Sequence, residues 1–195
     1  MILTADEVLR SLKGSLRLVR RHPDGLRAFD ASVEGFWRSF AAILLAAPAF
    51  IVLLADQELR AGRLVAGGLF ADAWFVAREA AVFVAPWVLF PLFMLGFVRI
   101  MGLQRRYVGY IVIYNWSGVI AAAIFAVPAL LHVLGLATGA HAAFYTFAFS
   151  IILVQYRWFF ARASLGLSTD LAAAVVAADF ILAGAAAAAI RALPV

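Results

Sequence analysis

Asp179 is the most chemically distinctive residue of the sequence, because its acidic side chain lies in the middle of a long apolar stretch. It is eight residues into a predicted membrane span, residues 171–190, and so close to the expected midplane of the bilayer. Ionisable groups at that depth are costly and commonly mark proton or cation pathways. The same surroundings favour the neutral carboxyl, which can hydrogen-bond within a helix bundle. Asp179 is therefore predicted to be either a proton or cation relay or a polar lock between helices.

Asn115 belongs to an aromatic and polar segment near the start of the predicted third span. Tyr107, Tyr110 and Tyr114 share one helical face in this segment. The segment predicts one of two arrangements. One is an aromatic-lined polar pocket open to the cytoplasm, and the other is an interfacial aromatic belt with one interhelical amide hydrogen bond.

Glu79 follows Arg78 at the start of the predicted second span. Adjacent helical residues point about 100° apart, so each of the two side chains is expected to snorkel or to meet a partner helix. Together, Asp179, Asn115 and Glu79 form the candidate intramembrane polar site. If they line one path, the chain is a small transporter or channel subunit.

The sequence has none of the motifs that would indicate a common enzyme. It has no glycine-rich phosphate loop, no HExxH and no GxSxG. It has no cysteine, which excludes disulfides and thiol chemistry. His132 and His141 flank one turn, but two histidines without a carboxylate set are a poor zinc site. Neither an enzymatic activity nor a cofactor is predicted.

The composition indicates a membrane protein. The chain is 66% hydrophobic with a mean hydropathy of +1.00, whereas soluble domains are about 45–50% apolar. A net charge of +5 and a pI near 10.2 would be compatible with nucleic-acid binding. However, only 14% of the residues are charged, and the basic ones lie between apolar runs. There they set topology and contact anionic lipid headgroups, so a nucleic-acid partner is not expected.

The apolar runs predict an all-α fold, a polytopic transmembrane helix bundle of five spans. The predicted spans are residues 38–55, 73–98, 107–136, 142–160 and 171–190, and a loop covers residues 56–72. Arg157 and Arg162 are expected to mark the end of the fourth span. The alanine-rich fifth span is nearly neutral for insertion, because Asp179 offsets its apolar residues. The alternative is four spans with an interfacial tail. The small residues of the fifth span suit close helix packing, within the bundle or at a seam between two copies.

Residues 4–21 predict an amphipathic helix that precedes the spans. Residues 1–35 are expected to form this cytoplasmic helix and a linker, and residues 36–195 the bundle. Arg17, Arg20 and Arg21 are candidate contacts to lipid headgroups, with the helix lying in the headgroup plane. The alternative is a helix packed on the cytoplasmic end of the bundle. Arg105 and Arg106 are candidates for contact with lipid phosphate and also signal topology.

The basic residues predict the orientation of the chain. With the N-terminus in the cytoplasm, twelve basic residues fall on the cytoplasmic side and four on the other. This asymmetry follows the positive-inside rule. It predicts an integral membrane protein with a cytoplasmic N-terminus and a C-terminus on the opposite side.

The layout of residues 36–190 resembles the Yip1-like family of small multi-pass membrane proteins. The similarity includes five closely spaced spans, a cytoplasmic N-terminal segment and the run Arg105-Arg106-Tyr107-Val108-Gly109-Tyr110, which is similar to that family's Gly-Tyr turn. The acidic-Leu-Tyr-Gly-Pro motif of eukaryotic members is absent. The resemblance implies a scaffold or trafficking-like role and no catalytic residues.

Two functional hypotheses follow from the sequence. The first is a non-enzymatic membrane protein that associates with lipid, with other membrane proteins or with itself. The second is the small transporter or channel subunit in which Asp179 is an intramembrane ion or proton site.

Overall fold

The computed structural model describes residues 3–62 and 73–193, and these residues are helical with no strand. The helices are α1 (Ala5–Val19), a short 3₁₀ helix (Pro23–Ala28), α2 (Val33–Ser39), α3 (Ala42–Arg60), α4 (Ala73–Ile100), α5 (Gln104–Val133), α6 (Gly139–Leu165) and α7 (Thr169–Arg191). Five segments are long and apolar enough to cross a membrane: α2 with α3, and each of α4 to α7. The predicted all-α bundle with five spans is therefore confirmed.

Charged residues that were expected to end two of the spans lie inside helices instead. The first span continues through Arg60 rather than ending at residue 55, and Arg60 forms an i,i+4 ion pair with Asp56, with 2.9 Å between Nε and Oδ2. The fourth span continues to Leu165 rather than to residue 160, so Arg157 is an interior residue of α6. In both places a paired charge is accommodated within a helix. The remainder of the predicted 56–72 loop, from residue 63, lies outside the described residues.

Helix α5 is the central helix of the bundle. Every residue from 110 to 117 is buried, and α5 contacts α1, α2, α3, α4 and α6. One close approach depends on Gly118, because a Cβ atom there would lie 2.9 Å from the Trp87 indole of α4. Residues 110–117 of α5 are therefore enclosed by neighbouring helices.

Helix α1 packs on the bundle, as one of the two predicted arrangements requires. Its buried face includes Ser11, Ser15 and Leu18, and it contacts α5 and α6. Gly14 allows the 3₁₀ helix to fold back onto α1, since a Cβ atom at Gly14 would lie 2.6 Å from the Cβ of Ala28. The N-terminal helix therefore shares the core of the bundle.

A small ionic cluster holds the N-terminal segment to the first span. The Arg38 guanidinium of α2 lies 2.8 Å from Oε2 of Glu7 on α1 and 2.6 Å from Oδ2 of Asp30 in the linker. The backbone N–H of Ser32 donates a 3.0 Å hydrogen bond to Asp30. That hydrogen bond, assisted by the Ser32 hydroxyl and by the Arg38 charge, lowers the pKa of Asp30 below its usual value.

Candidate functional site

Asp179 lies in the middle of α7 and is almost completely buried, with 2% of its surface exposed. The Tyr114 hydroxyl of α5 donates a 2.9 Å hydrogen bond to Oδ1 of Asp179. The Arg157 guanidinium of α6 forms an ion pair with the other carboxylate oxygen. Three helices therefore meet at this side chain, and we call Tyr114, Arg157 and Asp179 the polar triad.

Arg157 is the residue that sequence reasoning missed. Its guanidinium lies over the rings of Tyr114 and Phe180, at 5.3 and 5.4 Å from their centroids, and cation–π attraction supports it there. The distances of Arg157 and Asp179 from the turn between α6 and α7 could have indicated that the two residues pair. Helices α6 and α7 form an antiparallel hairpin that turns at Gly166, whose φ is +67°. Arg157 and Asp179 both lie about 12–15 Å along the helices from this turn, which places opposite charges at one height.

The triad lies at the edge of an apolar cavity of about 280 Å³. Tyr114 and Arg157 are among its lining residues, and Asp179 is not. The other walls are apolar side chains of α3, α4, α5 and α7, including Phe83, Trp87 and Phe125. The cavity thus adjoins the positive member of the ion pair, while the carboxylate faces packed protein.

Asn115 forms an interhelical amide hydrogen bond, which agrees with one of its two predicted roles. Its Nδ2 donates to Oγ of Ser39 at 2.9 Å, and this hydroxyl donates to the Phe36 carbonyl at 2.6 Å. The Asn115 Oδ1 is buried and has no hydrogen-bond partner among the described residues. The bond joins α5 to α2, away from Asp179.

The three tyrosines of α5 do not line one open pocket. Tyr110 is buried beside Phe90, and Tyr114 stacks on the same ring at 4.4 Å between centroids. The Tyr107 hydroxyl donates a 3.1 Å hydrogen bond to the Pro91 carbonyl of α4. These side chains pack α5 against its neighbours, and Tyr110 and Tyr114 line two different cavities. The three tyrosines therefore do not share one pocket.

Glu79 meets a partner helix, as one predicted outcome required. Its two carboxylate oxygens accept hydrogen bonds from Nε and Nη2 of Arg191 at 3.0 and 2.6 Å, which is bidentate geometry. Arg78 Nε lies 3.8 Å from the same carboxylate without hydrogen-bond geometry. Asp179, Asn115 and Glu79 therefore have three different sets of partners and do not form one site.

The candidate headgroup contacts all lie on the surface, but three of them have partners within the protein. The exposed set is Arg17, Arg20, Arg21, Arg105 and Arg106. Arg17 forms a 3.5 Å ion pair with an aspartate of the 3₁₀ helix, Arg21 donates to Gln155 of α6, and Arg106 caps the C-terminus of α6 through the Leu165 carbonyl at 2.5 Å. Arg20 and Arg105 have no such partner among the described residues.

His132, at the opposite end of the bundle, forms a contact between two helices. His132 Nδ1 of α5 lies 2.5 Å from Oδ1 of Asp56, the same carboxylate that Arg60 of α3 contacts. Within the described ranges, no group of three histidine, aspartate or glutamate side chains is arranged to hold a metal ion. The contact joins the ends of α3 and α5.

In comparisons with known proteins, no family model, no curated protein and no solved structure matches the chain. The resemblance to the Yip1-like family therefore stays a prediction.

Proposed function

We propose that the protein is a non-enzymatic integral membrane protein that associates with anionic lipid, in a scaffold or trafficking-like role. One observation carries this proposal: exposed basic side chains lack ion-pair partners at one end of the bundle, whereas those described at the other end lie beside carboxylates. At the end that holds α1 and the α4–α5 and α6–α7 connections, here called the α1 end, Lys13, Arg20, Arg99 and Arg105 are exposed. None of these four forms an ion pair with a described residue.

The described arginines at the opposite end lie beside carboxylates of the protein. Arg60 pairs with Asp56, and Arg191 pairs with Glu79, with Arg78 nearby at 3.8 Å. Every arginine of that end within the described ranges thus lies beside a carboxylate. Among the described residues, the unpaired positive charge that is available to a membrane surface is therefore concentrated at the α1 end.

The outward face of α1 suits contact with headgroups. Leu9, Lys13, Leu16 and Arg20 follow one another at helical spacing, and the two leucines are 54% and 49% exposed. Alternating apolar and basic side chains on one face are typical of helices that lie at the boundary between headgroups and acyl chains. The inner face of α1 holds it on the bundle, and its outer face remains available to lipid.

The test compares two variants that lose the same number of cations. Lys13→Gln/Arg20→Gln/Arg105→Gln removes three from the α1 end. Arg60→Gln/Arg78→Gln/Arg191→Gln removes three from the opposite end and is combined with Glu79→Gln, so that the buried carboxylate is not left without its partners. Retention of phosphatidylglycerol over phosphatidylcholine by the purified protein is counted by native mass spectrometry. We expect the first variant to lose about fivefold in preference per charge, since each surface cation contributes about 1 kcal/mol. Equal retention of both lipids by the wild type, or equal loss in both variants, would contradict the proposal.

The α1 end is cytoplasmic in this proposal, because it holds most of the basic residues. Reporter fusions at residues 20 and 103 should therefore be cytoplasmic, and fusions at residue 138 and at the C-terminus should be on the other side. A cytoplasmic C-terminus with the other three unchanged would mean that α7 does not cross the membrane.

The polar triad and its cavity support a second candidate function, the transport of protons or cations. Asp179 is held by Tyr114 and Arg157, so transport requires this pair to open. Reconstituted vesicles with a pH-sensitive dye test it. A wild-type flux that Asp179→Asn abolishes in a folded protein would support transport, and no flux under several ion gradients would count against it.

A further inference from the structure

The cavity beside the polar triad is long and largely lined by rings. Along α5 its lining extends from Tyr114 to Phe125, eleven residues apart or about 16 Å of helix. Phe83 and Trp87 of α4 add two further rings. Its volume of about 280 Å³ is close to the lower end of the range for small-molecule sites, about 300–1,000 Å³. The cavity therefore has room for a small molecule and not for a whole phospholipid.

Small residues of two helices leave this space open. Gly118, Ala121 and Ala122 of α5 and Ala183 of α7 belong to the lining. Protein interiors contain few voids larger than a water molecule, so a space of this size between packed helices is a candidate binding site. A larger side chain at Ala183 would fill part of it.

Arg157 gives the cavity a concentrated source of hydrogen-bond donors. A helical side chain leans toward the N-terminus of its helix, and for Arg157 this is the direction in which the cavity extends from the triad. A guanidinium has five N–H donors. The ion pair with Asp179 and the contacts with the faces of Tyr114 and Phe180 leave donors for an acceptor in the cavity.

The charges at the triad favour a neutral ligand. Asp179 already compensates the charge of Arg157, so a further anion would leave a net negative charge in apolar surroundings, which is costly. A cation in the cavity would be repelled by the guanidinium, and among the described residues the lining contains no acidic side chain that could attract it. A neutral molecule with an acceptor oxygen meets neither obstacle.

We propose that this cavity binds a small, neutral, aromatic carbonyl compound. Its carbonyl oxygen accepts a hydrogen bond from Arg157, and its ring lies against Phe83 and Trp87. The aromatic walls favour a ring through edge-to-face and offset contacts. Binding leaves the ion pair with Asp179 closed, and it does not depend on the proposed association with anionic lipid.

Photolabelling with benzophenone tests the site in the full-length protein in a mild detergent. Benzophenone is itself a neutral aromatic ketone, and its excited carbonyl adds across a nearby C–H bond, so labelled peptides identified by mass spectrometry show where it lies. The competitors are tetralone and tetralin, which share a ring frame and differ in the carbonyl. Ala183→Leu fills the cavity, and Ala185→Leu is its matched control, an equal gain of volume at an exposed position of α7 outside the lining.

We expect benzophenone to label residues 82–87 and 114–125 in the wild type and in Ala185→Leu. Ala183→Leu should reduce this labelling about tenfold, because it overpacks the occupied cavity. Tetralone should compete about tenfold better than tetralin, since a hydrogen bond to a charged group contributes about 1.5 kcal/mol. This preference should disappear in Arg157→Met/Asp179→Leu, which removes the guanidinium without leaving an unpaired carboxylate.

If the double variant fails to fold, the wild-type preference and the comparison of Ala183→Leu with Ala185→Leu decide the question. Equal competition by tetralone and tetralin in the wild type would overturn the proposal, because the cavity would then accept any apolar molecule, including a lipid chain. Equal labelling of the two leucine variants, or a preference for tetralone that persists without the guanidinium, would overturn it as well.

Discussion

Replacement of Asp179 by Asn should strongly destabilise the protein, because it leaves the charge of Arg157 without its counter-ion. The Arg157 side chain is only 18% exposed and lies between two aromatic rings. Removing one partner of a buried ion pair costs about 3–5 kcal/mol. The cation–π contacts and the residual exposure of Arg157 favour the lower limit. We therefore expect a loss of about 3 kcal/mol, or about two orders of magnitude in the unfolding equilibrium constant.

A double variant separates the ion pair from the packing around it. Arg157→Met/Asp179→Leu removes both charges and keeps much of the side-chain volume. Such replacements are often neutral or stabilising, so its stability should lie within about 1–2 kcal/mol of the wild type, which includes the unpaired Tyr114 hydroxyl. Tyr114→Phe should cost about 1 kcal/mol, since it removes one hydrogen bond to a carboxylate.

The assay is reversible unfolding in mixed micelles of a mild detergent and dodecyl sulfate, followed by tryptophan fluorescence. A protonated Asp179 that only hydrogen-bonds, as the sequence alone suggested, predicts little change in Asp179→Asn. Wild-type stability in that variant would refute the ion-pair argument. A double variant as unstable as Asp179→Asn would show that packing, rather than the unpaired charge, explains the loss.

Three further predictions concern the N-terminal segment and the opposite end of the bundle. Gly14→Leu should detach α1 from the 3₁₀ helix, because even a Cβ would lie 2.6 Å from that of Ala28, and limited proteolysis should then cleave the first 30 residues faster than in the wild type. Because hydrogen bonds from Ser32 lower the pKa of Asp30 below 3.8, the stabilisation it provides is complete above that value and is lost as the pH falls through the folded-state pKa. Unfolding measured between about pH 5 and pH 2 should therefore show a smaller loss of stability in Asp30→Asn than in the wild type. Glu79→Gln should destabilise the protein by about 1–2 kcal/mol in the mixed-micelle assay, since it weakens two charge-assisted hydrogen bonds from an arginine that is 46% exposed, and a cost below about 0.5 kcal/mol would contradict this.

The spans were predictable from the sequence because long apolar runs have few alternatives in a bilayer. The capping of α1 by Thr4, which accepts a 3.2 Å hydrogen bond from the Glu7 N–H, follows from local spacing as well. Partnerships across helices were not predictable in the same way. An arginine near the end of a predicted span is usually taken as a sign of where the span ends, so the sequence did not indicate Arg157 as the partner of Asp179. Its role depends on the rotation of two helices, which the hydrophobic pattern does not specify when both helices are apolar on every side.

Arg21 shows a second limit of local reasoning. Its sequence context, a basic residue after an amphipathic helix, indicates a headgroup contact. Its contact with the surface of α6 depends on a left-handed backbone at Arg21, with a φ of +60°, and on a hydrogen bond to Gln155, 134 residues away. Such long-range contacts follow from tertiary packing and leave no periodic signal in the sequence.

The pairing of Glu79 with Arg191 has a consequence for synthesis of the chain. The two residues are 112 positions apart, and Arg191 ends the last helix. At ribosomal rates of about 5–20 residues per second, Glu79 exists for roughly 6–20 s before its bidentate partner has been made. During that interval α4 is in the membrane without α7, the helix that carries this partner. The bundle can therefore close at this end only after α7 has been translated, and chains that stop before Arg191 lack the partner of Glu79.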